Sequence, residues 1–278
     1  DKAGEEIESV DALGIFSTSL IGYAKGLVKA VASNARRRQV AYDGFEDYNY
    51  YPILRKEHFN MGDTVKKYNL TDSISHTGLY SLKVGPADYL INGKGAFFPE
   101  KETPPNVPLN SRYYYLMPNE ILEHFSPDSG KYVFSAWCYD PSNKRTTNNN
   151  FGNIVLQFVK KNGQVISYEI SPSGLKVEGW QRMYKVLTVP NDLDCYKIIV
   201  HNPGKTVFYD DFRFHPYLSG MKSFVYNPFS LRLMAELDDN NYATFYEYDL
   251  EGRLVRIKRE TERGIMTIQE SRTGIKKQ

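Results

Sequence analysis

The stretch NIVLQFVKKNGQVISYEIS at 153–171 alternates apolar and polar residues on both sides of Asn162-Gly163. A period of two is the signature of a half-buried strand, and Asn-Gly supplies the positive φ angles of a tight type I′ hairpin turn. Working outward, the same texture recurs. SGKYVFSAWCYDP (129–141) starts after a Ser-Gly pair and stops at Asp140-Pro141, since proline does not sit inside a central ladder. GWQRMYKVLTVP (179–190), DCYKIIVHN (194–202) and KTVFYDDFRFHPY (205–217) read as three further strands, and GLYSLKVG (78–85) alternates upstream of them. EKETPPNVPLNS (100–111) and RTTNNNFGN (145–153) read as loops. No long helix interrupts the run, so the class is all-β, a sandwich or barrel.

The flanks differ from this block. Residues 1–38 open acidic with Glu5, Glu6, Glu8 and Asp11, then become rich in Ala, Gly and Ser. The spacing of Leu20, Ala24, Leu27, Val28 and Val31 predicts strand-like pieces followed by a short helix around 27–36. After Pro216 a weak internal repeat sets in, with Tyr226-Asn227 and Tyr248-Asp249 each opening a strand–turn–strand unit. A hairpin sheet of that size is marginal alone, so it is expected to pack on its neighbour or to continue an upstream sheet.

Composition excludes several classes. With 278 residues the chain can bury about 75% of its unfolded surface without disulfide staples. Lys and Arg total 35 against 33 Asp and Glu, so no basic excess marks a nucleic-acid binder. The eight Lys/Arg in 251–278 alternate along a strand face without interleaved stacking aromatics. No apolar run is long enough for a membrane-spanning helix. The two cysteines, Cys138 and Cys195, lie in predicted strands and read either as buried free thiols or as one disulfide of an exported protein. The five histidines make no metal spacing, and no nucleophile elbow, P-loop or dinucleotide fingerprint occurs. No enzyme is expected.

Five features in order, DGFEDY (43–48), SHTGLYSLKVG (75–85), GKYVFSAWCYDP, GWQRMYKVLTVP and VFYDDFRFHP, resemble the carbohydrate-binding-module jelly rolls of the galactose-binding-domain-like superfamily. YEYDLEGRLVRI at 246–257 resembles YD repeats of the RHS type. The resemblances imply three parts: an N-terminal segment 1–38 ending a preceding region, a jelly-roll sandwich over 39–218, and a small YD-repeat antiparallel hairpin sheet over 219–278. The whole resembles the C-terminal end of large surface or secreted proteins of Bacteroidota-type bacteria. It implies a secreted or cell-surface, non-catalytic structural or adhesive module, serving secretion or display. Its partners would be the rest of its own polypeptide and secretion or envelope proteins. A glycan-binding module is the alternative and an RHS toxin-associated fragment the third reading.

The resembling modules carry a structural Ca²⁺ between their terminal strands. Glu46, after the first sandwich strand, and Asp211, in the last, match its ligand positions together with the carbonyl of Lys83. Asp43, Asp210 and the carbonyl of Tyr80 are second choices. Ca²⁺ wants six to eight oxygens. Sugar-binding modules use aromatic platforms, for which Tyr113, Tyr114, Tyr115, Trp137, Tyr139 and Tyr168 are the candidates. Trp180 matches a buried tryptophan of those families and His76 a structural turn.

Overall fold

The computed structural model describes residues 6–23, 26–48, 69–85, 89–92, 125–141, 152–201 and 205–271. They form nineteen strands and one short 3-10 turn, Arg37–Gln39. The N-terminal strands are β1 (Glu8–Val10), β2 (Phe16–Gly22) and β3 (Leu27–Ser33). Next come β4 (Ala41–Asp43), β5 (Leu70–Thr71), β6 (Ser81–Val84), β7 (Tyr89–Asn92), β8 (Gly130–Tyr139), β9 (Asn153–Lys160) and β10 (Val165–Ile170). Then follow β11 (Pro172–Val177), β12 (Trp180–Val189), β13 (Leu193–His201) and β14 (Val207–Pro216). The last five are β15 (Gly220–Tyr226), β16 (Leu233–Leu237), β17 (Ala243–Tyr248), β18 (Leu254–Thr261) and β19 (Gly264–Glu270).

Three antiparallel sheets result. A four-stranded sheet runs β10-β9-β13-β7, and a seven-stranded one runs β11-β12-β8-β14-β6-β5, with β4 pairing to β14. These two are the sandwich. Its core holds Phe134, Ala136 and Cys138 of β8, Leu156 and Phe158 of β9, and Phe212 and Phe214 of β14. As the jelly-roll reading expects, the first sandwich strand lies beside the last, with Asp43 opposite Phe212.

The third sheet joins the two ends of the chain in the order β1-β2-β3-β15-β16-β17-β18-β19. Ser33 stands opposite Gly220 where β3 meets β15, so the sandwich is inserted between two neighbouring strands of a hairpin array. This sheet turns small residues, Ala30, Ala32, Ala235 and Ala243, inward and packs them with Val40 and Tyr42. It therefore approaches the seven-stranded sheet closely. That middle sheet is buried on both faces: β14 has nine consecutive buried residues and β8 seven.

Two expectations are corrected. Residues 27–33 are a strand, not a helix: Val28 and Val31 prefer extended backbone, and the segment pairs with both β2 and β15. The hairpin at 153–171 exists, but its turn is longer than two residues. Only Gly163 has positive φ (84°), Gly163 N–H donates to the Lys160 carbonyl, and Lys160 N–H donates to the Gln164 carbonyl. That is a three-residue loop with glycine in the left-handed position. The two-residue turn with positive φ at both positions lies instead at Glu178-Gly179, joining β12 to β11, a strand the sequence did not announce.

The layers are joined by Arg213, fully buried on β14. Its guanidinium donates to the carbonyls of Met221, Leu237 and Asp238 in the third sheet. Arg213→Ala strands those acceptors, at about 1–3 kcal/mol for each buried group left unpaired. We expect urea unfolding to show a loss of at least about 3 kcal/mol, with Arg213→Lys recovering only part of it. A variant as stable as the wild type would mean that the seam is held by other contacts.

Candidate functional site

Asp210 and Asp211 reach this seam because of one irregularity in β14. Its register to β8 shifts between Asp210 and Arg213, and Asp211 sits at φ 52°. The bulge reverses the strand's alternation. Val207 and Tyr209 before it, and Phe212 and Phe214 after it, all enter the sandwich core. Asp210 and Asp211 turn toward the loop at 75–78 instead, where their carboxylates meet His76 and Thr77.

Both aspartates are engaged by donors of the chain. Asp210 Oδ2 accepts the His76 N–H at 2.9 Å, and its Oδ1 accepts the Asp211 N–H at 2.8 Å. Asp211 Oδ1 accepts the Tyr42 hydroxyl at 3.0 Å, while the Thr77 hydroxyl reaches both its oxygens. Asp211 Oδ2 also lies 2.7 Å from His76 Nδ1. On its other side the imidazole meets Glu260 of β18, with Nε2 3.0 Å from Oε1. Glu260 Oε2 accepts the Ala243 N–H. The ring stacks on Trp137 at 4.2 Å between centroids. Trp137 in turn donates its indole N–H to the Asn241 carbonyl at 2.7 Å.

Burial on its own would push His76 down. The Glu260 charge, the hydrogen bonds to Asp211 and Glu260 and the Asp211 charge outweigh it, raising the imidazole to about 9. An imidazolium that donates to two carboxylates across a buried seam is the arrangement's consistent protonation state. Burial, with the neighbouring Asp211 and Glu46 charges, raises Asp210 well above the carboxylate range. Burial likewise raises Glu46 well above it, against the pull of two backbone N–H bonds. Burial carries Asp43 up to about 7. His215 moves the other way, down to about 4, through burial and the charge of Arg213.

Of the predicted calcium ligands, Glu46, Asp210 and Asp211 lie within range of one another's charge, and each of the six is engaged by the chain. Glu46 Oε1 accepts the N–H groups of Leu79 and Tyr80, both at 2.7 Å, so Tyr80 meets Glu46 through its nitrogen. Asp43 accepts the Phe45 N–H and the Tyr48 hydroxyl. The Lys83 carbonyl accepts Asn69 Nδ2, and Lys83 stands opposite Phe208. Glu46 Oε2 is buried without a partner. Six to eight oxygens are required. Among the described residues no group of three or more His, Cys, Asp or Glu is arranged to hold a metal.

The aromatic candidates divide differently. Tyr113, Tyr114 and Tyr115 lie outside the described residues. Trp137 is 1% exposed, shut beneath the third sheet. Tyr139 is half-buried against Trp180 and Phe208. Tyr168 packs on Phe158, and its hydroxyl bonds the Thr188 backbone. Trp180 is buried as expected, although in the seam rather than in the sandwich core. Cys138 is buried and free; Cys195 is free and half-buried. Sequence reasoning missed Glu260, Arg213, Tyr42 and Asn241, all of them polar groups of the seam. Its only signal was a charged residue, Arg213, inside the aromatic run at 208–214.

Beside the seam lies an open cleft of about 590 Å³. The loop at 74–78 and the Val177–Glu178 turn form one wall, and Met234, Phe245, Lys258 and Ile265 of the third sheet form the other. On that wall Lys258 pairs with Glu247.

No protein-family profile matches the chain, and no curated protein does. Solved structures give weak likenesses. A family 16 carbohydrate-binding module is 12% identical with a TM-score of 0.33, over 52% of this chain and 82% of that one. The CBM22-1 xylan-binding domain of Paenibacillus barcinonensis Xyn10C is 8% identical with a TM-score of 0.31, over 52% and 78%. TmCBM61, solved with β-1,4-galactotriose, is 12% identical with a TM-score of 0.27, over 67% and 88%. At these scores they carry no weight for ligand or activity.

A histidine raised from 6.5 to about 9 on folding contributes stability that is complete below about pH 6.5 and lost as pH rises through 9. Asp43 acts lower, between 3.8 and about 7, and His215 between about 4 and 6.5, so the window from 7 to 9 belongs to His76 among these three. Urea unfolding of the wild type is expected to lose on the order of 3 kcal/mol between pH 7 and 9.5. His76→Gln is expected to be less stable at pH 7 and to lose distinctly less than the wild type across that window, in which Asp210 and Glu46 also titrate. Equal slopes in both proteins would show that His76 is not charged in the fold.

Proposed function

We propose that this chain is a non-catalytic β-sandwich module with a structural or adhesive role in a larger exported bacterial protein. One observation carries the reading. The outer face of the middle sheet at Trp137, a candidate ligand platform, is closed by the third sheet through the Trp137–Asn241 hydrogen bond and the His76–Glu260 contact. A face used for packing is not a binding face. Export, and a part in secretion or surface display, rest on the sequence resemblance alone. So does the kinship of the C-terminal hairpins to YD repeats, and no structural observation favours a toxin-associated fragment.

We further propose that the acid cluster works without calcium, because the imidazolium of His76 and the chain's own donors engage its carboxylate oxygens other than Glu46 Oε2. The melting temperature is then the same, within about 1 °C, in EDTA and in millimolar Ca²⁺. A calcium-dependent rise of several degrees would restore the metal reading.

Glycan binding is the second reading, and the cleft favours it. A sugar ring has an apolar face and a hydroxyl rim. The cleft sets Phe245, Met234 and Ile265 beside the adjacent acceptor and donor of Glu247 and Lys258. A glycan array of the whole chain tests this. Signal for one glycan class, lost in Lys258→Ala and Glu247→Gln, would make the chain a targeting module. Silence would leave the structural role.

A further inference from the structure

A second bulge, in β3, turns a lysine inward. Leu20 pairs with Ala30 and Ile21 with Val28, so Lys29 has no counterpart in β2 and is the extra residue. A bulge re-aims the side chain it carries. Lys29 and Ala30 are accordingly both buried, where strict alternation would send them to opposite faces. The Lys29 ammonium lies 3.2 Å from Asp47 Oδ2, shortly after β4, and the two side chains are only 11% and 15% exposed. Lys160, Lys205, Lys222 and Lys258 also pair with carboxylates, but in each of those pairs one side chain is more than a third exposed. Gly22 makes room for the approach. A Cβ there would stand 2.6 Å from Asp47 Oδ2 and 2.8 Å from Lys29 Cδ.

We propose that Lys29 and Asp47 condense into an isopeptide bond, a covalent tie between the third sheet and the start of the sandwich. In water the two groups stay ionised, and an ammonium is no nucleophile. Burial penalises both charges, so a proton passes from nitrogen to carboxylate and leaves an amine facing a carboxylic acid. The fold holds them at the separation of a near-attack pair, about 3–3.5 Å. The Nζ lone pair attacks Asp47 Cγ and the C–N bond forms. The bond from Cγ to one oxygen breaks, and that oxygen leaves as water with the two protons given up by nitrogen. Ammonium and carboxylate hold between them every atom of the amide and the water, so no co-reactant enters. Asp43, buried and within range of both charges, is a neighbouring carboxyl that can relay the proton to the leaving oxygen. The link spans 18 positions of one chain and is independent of whether the cleft takes a glycan.

Intact mass spectrometry reads this directly on the full chain, held folded overnight in neutral buffer and denatured only for the measurement. The expected mass is that of the sequence less one water. Asp47→Ala and Lys29→Met are each expected to show their full sequence mass. Tryptic digestion of the wild type locates the loss and needs no variant to fold. The chain is expected to stay uncut after Lys29, and residues 26–36 to appear joined to residues 39–55 in one branched peptide, whose fragments place the junction at Asp47. A wild type of full sequence mass overturns the proposal. So does a missing water that persists in Asp47→Ala, or one that maps to a cyclic imide at Asp43-Gly44 instead of a branch.

Discussion

The architecture depends on the bulge at Asp210–Asp211 in β14. Without it the strand would alternate strictly, and one of the two aspartates would point into the aromatic core of the sandwich. With it both carboxylates face the third sheet, where Tyr42, Thr77 and His76 satisfy them. Burying these groups is expensive in itself, and the imidazolium between Asp211 and Glu260 sits where neither water nor salt screens it. Replacing such a network with apolar residues of the same shape would not by itself destabilise a protein. What the network supplies is uniqueness. A sheet facing alanines and valines could slide by one pair, but an imidazole bridging Asp211 and Glu260 fits one position only.

The polar seam also answers a problem set by the topology. Strands β3 and β15 are neighbours in space, yet the whole sandwich lies between them in sequence. The third sheet cannot complete itself until that segment has returned its ends to within a residue pair of each other. Closing so long a loop costs entropy that grows only slowly with length, but the contacts it delays are many. β14 ends four residues before β15 begins, and Arg213, close to that end, holds three carbonyls of β15, β16 and the turn after β16. Folding of the last sandwich strand is thus coupled directly to docking of the sheet beyond it. The jelly-roll closure that brings β4 beside β14 carries Val40 and Tyr42 to the same seam.

How far this was legible in the sequence depends on how many faces each strand buries. The hairpin at 153–171 has one face in the core and one half-exposed, and its alternation reads directly. The pairing of first and last sandwich strands follows from the jelly-roll resemblance, and the C-terminal hairpins from their own repeat. Strands β8 and β14 are also visible, as aromatic runs, but their burial on both sides is not. Alternation reports that two faces differ, and here both are covered, one by Phe134 and Phe214 and the other by Trp137 and Arg213. The third sheet was half legible. Its C-terminal strands were read correctly, while Leu27–Ser33 looked helical because Ala, Leu and Lys also suit a helix, and its partners β2 and β15 decide the matter. The acids were found by position, but their chemistry was not. Glu260 lies in a charged stretch, KRETER at 258–263, that reads as solvated, and no local pattern marks it as the partner of a histidine so far upstream.

A consequence follows for any ligand this chain takes. A two-layer sandwich has two outer faces on which rings can stand as platforms, and a composition with 22 tyrosines invites that reading. A third layer removes one of those faces and converts its aromatic residues into packing. Trp137 shows the conversion most clearly. Its ring is sandwiched by His76, its N–H is spent on a backbone carbonyl of the neighbouring sheet, and 99% of its surface is lost. The same layer creates what a bare sandwich lacks, namely a seam with an open cleft between unlike walls. Recognition by this protein is therefore to be sought at the boundary of its layers.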